Sequence, residues 1–155
     1  MDAPSRVHRP QSVLFACELN SVRSPMAASL LQHMFPRTLY VRSAGVRKGE
    51  TDPFAVAVMA ELGQDISKHR PMTFEQLEDW EGLNFDLIIT LSPEAHHKAL
   101  ELTRTIAAEV EYWPTPDPTA IEGNREQRMQ AYRDVCDGLL SRIRKRFARG
   151  GGAGL

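Results

Sequence analysis

Two cysteines, Cys17 and Cys136, are the whole thiol complement of a 155-residue chain. Thiols that far apart make no disulfide framework and pair only where a fold brings them together, which excludes the small, cross-linked secreted class. A reducing cytosol is the expected location, and it would leave a working thiol available. Neither sign of charge is in excess: 19 Lys and Arg stand against 20 Asp and Glu, a net charge of −1. That balance gives no general reason to expect nucleic acid or an anionic membrane as partner, so any anion recognition has to be local. No apolar run approaches the roughly 20 residues that span a bilayer. The opening MDAPSRVHRPQS lacks the apolar stretch of a secretory signal. Neither a membrane span nor export is expected.

What remains is an ordinary globular composition, 42% hydrophobic and 25% charged. Residues 1–148 read as a single domain, large enough to bury a core, and RGGGAGL at 149–155 reads as a flexible tail. Nothing in the sequence fixes an oligomeric state.

Strand and helix signals alternate along the chain, which predicts a parallel sheet covered by helices. Strands are expected at residues 12–16 (SVLFA), 39–43, 86–91 (DLIITL) and, more weakly, 109–113. Ser24-Pro25 predicts a helix start, with Ala27, Ala28, Leu30, Leu31 and Met34 on its apolar side. Asp52-Pro53 predicts another, with Phe54, Val56, Met59 and Leu62 inward and Gly63 as the stop. Thr73 with Gln76 forms a capping-box pattern for a short helix through Trp80. Ser92-Pro93 opens a helix to about residue 106. A last helix over residues 125–147 aligns Met129, Tyr132, Cys136, Leu139, Leu140, Ile143 and Phe147. The fold class is therefore α/β, with four or so parallel strands.

The chemistry concentrates in CELNSVRS, residues 17–24, between the first strand and a helix start. In open parallel sheets ligands bind at the carboxyl ends of strands, and a loop running into a helix N-terminus presents free N–H groups to an anion. Such a position favours the thiolate, the reactive form of Cys17. Arg23 offers a planar fork that matches two oxygens of a tetrahedral oxyanion. Asn20 tolerates the left-handed backbone that a tight loop needs. Ser24 is available either as a helix cap or as a partner for the sulfur. For Asp117, the loop after the fourth strand places a carboxyl group at the same sheet edge, where it can donate a proton to a departing oxygen. Asp52 has a simpler role as a helix cap.

CELNSVRSPMAASLL, preceded by VLFA, resembles the Cys-x5-Arg-Ser loop of the low-molecular-weight protein tyrosine phosphatase family. Ser43-Ala44-Gly45 and Asp117-Pro118 extend that resemblance over most of the chain. It implies a doubly wound sheet of four parallel strands, with helices on both faces. It also implies Cys17 as nucleophile, Arg23 as phosphate clamp, Asp117 as general acid and Ser24 as thiolate partner. The backbone of Glu18, Leu19, Asn20, Ser21 and Val22 would line the phosphate, with Ser43 supporting Asn20. A phosphorylated protein or small phosphoester is the implied substrate, and no metal or organic cofactor is called for.

The chain departs from the family at several points. Leu19 stands where that loop has glycine, and Glu18 must point away from a bound anion. Thr119-Ala120 replaces the aromatic pair that follows Asp-Pro, so a stacking wall would have to come from Tyr112, Trp113 or elsewhere. Asn20-Ser21, ITLSPEA and the DPTAIEG run into YRDV are closer to the arsenate reductases of the same fold. Reduction of arsenate needs further thiols. The region after the third strand holds Ser92 and no cysteine, and Cys136 reads as a packed core thiol, so only an external thiol would serve. Ser21 sits where phosphoarginine-hydrolysing members carry a hydroxyl. A non-catalytic phosphate-binding module is a further alternative. His96-His97 read as solvated helix surface, His8, His33 and His69 as isolated, and the Arg142–Arg149 cations as the exposed side of the last helix.

Overall fold

A computed structural model describes residues 10–148. His8, Arg149 and the expected tail at 149–155 lie outside the described residues. Four strands form one parallel sheet in the order β2-β1-β3-β4. They are β1 (Ser12–Cys17), β2 (Tyr40–Gly45), β3 (Leu87–Thr90) and β4 (Glu109–Tyr112). The first crossover carries α1 (Arg23–Met34), the second α2 (Pro53–Glu61) and α3 (Phe74–Glu81), and the third α4 (Pro93–Leu102). Helix α5 (Arg125–Ile143) follows β4. After β2 the chain returns to the other side of β1, so the direction of winding reverses between β1 and β3, at whose carboxyl ends such folds bind ligands.

The pleat of β1 divides the core. Val13, Phe15 and Cys17 pack with Met26, Leu30, Val58, Met59, Tyr132, Leu139 and Ile143, contributed by α1, α2 and α5. Leu14 and Ala16 turn the other way, onto Phe74 and Leu77 of α3 and Ala95 and Ala99 of α4. Both central strands are therefore covered on two sides, which accounts for their unbroken apolar runs. Each fully buried Leu, Ile or Phe among them contributes about 1.5–3 kcal/mol.

Helix ends follow local chemistry, with instructive differences. Asp52 Oδ1 accepts from Phe54 N at 2.8 Å and Ala55 N at 3.2 Å, and Pro53 occupies the first turn. Thr73 and Gln76 form the reciprocal capping box, and Ser92 accepts from Ala95 N. Gly63, with φ 75°, follows α2 in the left-handed region. The inward stripe of α2 is Ala55, Val58 and Met59; Leu62, which lies past the last helical residue, is 49% exposed rather than inward. Helix α4 ends at Leu102, earlier than its sequence suggests. Helix α1 begins at Arg23 with no side-chain cap, because Ser24 is already inside it and otherwise engaged. A single π turn at Arg144–Ala148 closes α5 and seats Phe147 in the core. Among the described residues no helix is long and apolar enough to cross a membrane.

Candidate active site

The loop after β1 is braced from the neighbouring strand. Cys17 pairs with Gly45, and the carbonyls of Cys17, Glu18 and Leu19 accept from Val46 N, Arg47 N and Gly49 N at 3.3, 2.9 and 2.9 Å. With its carbonyls engaged on that side, the loop keeps the N–H groups of Glu18 to Val22 free of other protein acceptors among the described residues. Such a run of free amides suits an anion. Gly45 is a requirement of the packing: a Cβ there would sit 2.9 Å from both Glu18 O and Asn20 N.

Asn20 is the hub. It is fully buried and its φ of 56° is the left-handed turn its residue type tolerates. Its Nδ2 donates to Ser24 Oγ and Ser43 Oγ, each at 2.9 Å, and its Oδ1 accepts from Met72 N at 3.0 Å. Its carbonyl accepts from His69 Nε2 at 2.9 Å. The acceptor is a carbonyl, so Nε2 carries the proton. Burial holds the His69 imidazole below its usual value, which favours the neutral form. Ser24 Oγ accepts from Asn20 Nδ2 and lies 2.9 Å from Cys17 Sγ, so its own hydrogen is available to a Cys17 thiolate. The hydroxyl serves the sulfur rather than the helix end.

Cys17, Arg23 and Asp117 line one cavity of about 260 Å³, which Glu18, Leu19, Ser21, Val22, residues 50–53 and Thr119 complete. Cys17 and Arg23 lie deep, 2% and 8% exposed, and Arg23 Nη1 donates to Thr115 O at 3.0 Å. Asp117 caps the 3-10 turn Pro118–Ala120 through Oδ1, which accepts from Thr119 N at 3.0 Å and Thr119 Oγ1 at 2.7 Å. Glu18 is drawn into an ion pair with Arg47, and Leu19 is an exposed rim residue.

Several assignments change. Neither aromatic candidate walls the cavity: Trp113 is buried edge-on against Phe15, and Tyr112 stacks on His96. His96, with Nδ1 3.0 Å from Thr90 Oγ1, is not free helix surface, and His69 is not isolated. Arg146 pairs with Glu111, and Arg142 lies over Trp113. Asp52 caps α2 as expected, yet it also lines the cavity and accepts from Tyr132 Oη at 2.8 Å. Cys136 is a buried free thiol, 3.9 Å from Met59 Sδ, and burial pushes it up to about 11. Among the described residues no cluster of His, Cys, Asp or Glu is arranged to hold a metal.

Residues 12–149 match the low molecular weight phosphotyrosine protein phosphatase family. The chain belongs to that family. Within this phosphatase family the chain is 34% identical over 143 residues to an arsenate reductase of Shouchella clausii, covering 90% of this chain and 96% of the relative. A low molecular weight protein tyrosine phosphatase from T. tengcongensis shares the fold at TM-score 0.72, with 24% identity over 90% of this chain and 99% of that one. An arsenate reductase from Archaeoglobus fulgidus superimposes at TM-score 0.63, with 28% identity over 86% of this chain and 96% of that one. The phosphatase family thus includes both cysteine-based phosphatases and arsenate reductases among the proteins this chain resembles.

Proposed function

We propose that this chain hydrolyses phosphomonoesters through a cysteinyl-phosphate intermediate. The observation that carries the reading is one cavity holding the Cys17 sulfur, hydrogen-bonded to Ser24, together with Arg23 and Asp117. In the proposed cycle Cys17 Sγ attacks phosphorus, and the S–P bond forms as the P–O bond to the organic group breaks. Asp117 gives its proton to the departing oxygen; Oδ1 is occupied by Thr119, which leaves Oδ2 for that transfer. Water then attacks phosphorus, Asp117 recovers a proton, the S–P bond breaks and inorganic phosphate leaves. Arg23 and the amides of Glu18 to Val22 stabilise charge on the equatorial oxygens, and Asn20 and Ser43 hold the loop in shape.

Cys17→Ser abolishes turnover of phenyl phosphate on this reading, and Asp117→Asn slows it about 10²–10⁴-fold. Full turnover by Cys17→Ser would refute it. A cytosolic setting suits a reactive thiol. With Tyr112 and Trp113 committed elsewhere, selection of phosphotyrosine by aromatic stacking has no support, and a phosphorylated protein or a small phosphoester would serve.

Arsenate reduction is the second reading, favoured by the names of the curated relatives. In that cycle Cys17 forms a thiol–arsenate adduct, and a second thiol attacks its sulfur, releasing arsenite and leaving a disulfide. Cys136 is packed against Met59 in the core, so the second thiol, and the third that reduces the disulfide, would come from solution. Arsenite release from arsenate plus glutathione, absent in Cys17→Ser, tests it. Phosphoarginine, through Ser21, and phosphate binding without turnover are read out in the same panel.

A further inference from the structure

The cavity is polarised along its depth. At its floor lie Cys17, Val22 and Arg23, with the loop amides and the start of α1, so a dianionic phosphoryl group is attracted inward. Its outer part is different: the charged groups there are Glu18, Glu50, Asp52 and Asp117, with no cation among the lining residues except the deep Arg23. These carboxylates are not equivalent. Glu18 is neutralised by Arg47, Asp52 is held by two backbone amides and Tyr132, and Asp117 is the proposed acid. Glu50 is exposed and makes no ion pair or hydrogen bond among the described residues. Arg125 and Arg128 of α5 lie over the Phe54 ring, and neither forms an ion pair with these carboxylates among the described residues.

An anion-binding pocket with an acidic mouth would repel the organic half of an acidic substrate and attract that of a basic one. We propose that the site selects phosphate esters whose organic half carries a positive charge near the phosphoryl group, such as a phosphopeptide with Lys or Arg beside the phosphorylated residue. The inference rests on the phosphohydrolase reading and deepens it. Glu50 is the specificity-determining residue: it stands at the rim, uncompensated, where the chain next to the phosphoryl-bearing group must pass. The exposed side chains of Leu19 and Thr119 add no charge of either sign to that passage.

The test compares kcat/KM for three aryl phosphates of similar leaving-group acidity: phenyl phosphate, its para-aminomethyl derivative and its para-carboxylate derivative. The cationic ester is expected to exceed the anionic one by about fivefold in low salt, the scale of one or two solvent-exposed charge contacts, and the ratio should fall toward about twofold at about 0.5 M salt. Glu50→Gln should cut the low-salt ratio by about half. A ratio of one or less, or a preference that neither salt nor Glu50→Gln alters, overturns the inference while turnover of phenyl phosphate leaves the hydrolase reading standing. No turnover of any of the three removes both.

Discussion

Tyr132 donates its hydroxyl to Asp52 Oδ2 across 2.8 Å, joining the middle of α5 to the cap of α2 at the wall of the cavity. The same carboxylate caps α2 through its other oxygen, so one side chain fixes both a helix start and a helix–helix contact. Burial, with the Asp52 carboxylate beside it, pushes the Tyr132 phenol well above its ordinary value and keeps the proton on the oxygen. Tyr132→Phe keeps the ring against Phe54 and removes only this bond. Urea unfolding should show a loss of about 1–3 kcal/mol. The raised folded-state value makes the Tyr132 contribution full below about pH 10, and it is lost as pH rises beyond that. Tyr132→Phe should flatten that alkaline decline.

Asn20 combines a backbone requirement with a side-chain one, and two variants separate them. Asn20→Gly keeps the left-handed turn but loses the bonds to Ser24, Ser43 and Met72 N; Asn20→Ala loses both. Phenyl phosphate turnover should fall at least about tenfold in each, since Ser24 and the loop shape depend on those bonds. Asn20→Ala should be the less stable by about 1 kcal/mol, the cost of a left-handed non-glycine residue without a compensating side chain.

His69 predicts an acid limit. Burial depresses its folded-state value, while Nε2–H donates to Asn20 O in either protonation state, so the cost of acid falls on desolvation of the charge. The His69 contribution to stability is complete above about pH 6.5 and is lost as pH falls through the lowered value. Urea midpoints measured at neutral and mildly acidic pH should diverge in the parent and converge in His69→Gln.

The two thiols should differ in reactivity despite similar burial. Cys17 lines the cavity, whereas Cys136 lies within the core with its thiol pushed up to about 11. Alkylation of the folded protein near neutral pH should modify Cys17 and stop turnover, with Cys136 modified only on unfolding. Cys136→Ala should leave phenyl phosphate turnover within about twofold while costing about 1–2 kcal/mol of stability.

The loop was legible in sequence because its determinants are local. Cys17, Asn20, Arg23 and Ser24 fall within eight consecutive positions, between a buried strand and a helix. The sheet was legible for a related reason: strands buried on both faces write continuous apolar runs. What escaped reading depends on distance in the chain. His69 and Met72 reach Asn20 from 49 and 52 residues away, and Thr115 reaches Arg23 from 92, with no local pattern to announce them. Asp52 was legible as a cap and not as a cavity wall, because the cap is written by Pro53 and the wall by the path of β2's exit. Ser24 carried a signal for two roles, and the start of α1 at Arg23, which puts Ser24 inside the helix with its Oγ beside Cys17 Sγ, decides between them.

Gly45 belongs to none of the cavity's surfaces, yet the loop rests on it. The bare α-carbon at the end of β2 works as a mould: the curvature of residues 18–20 is cast against it, and one added methyl group would lift the cast. Two proteins could share every side chain that faces the phosphoryl group and still differ in whether they bind it, the difference being hidden one strand away. Sequence changes at such a seat alter function while leaving the visible site untouched.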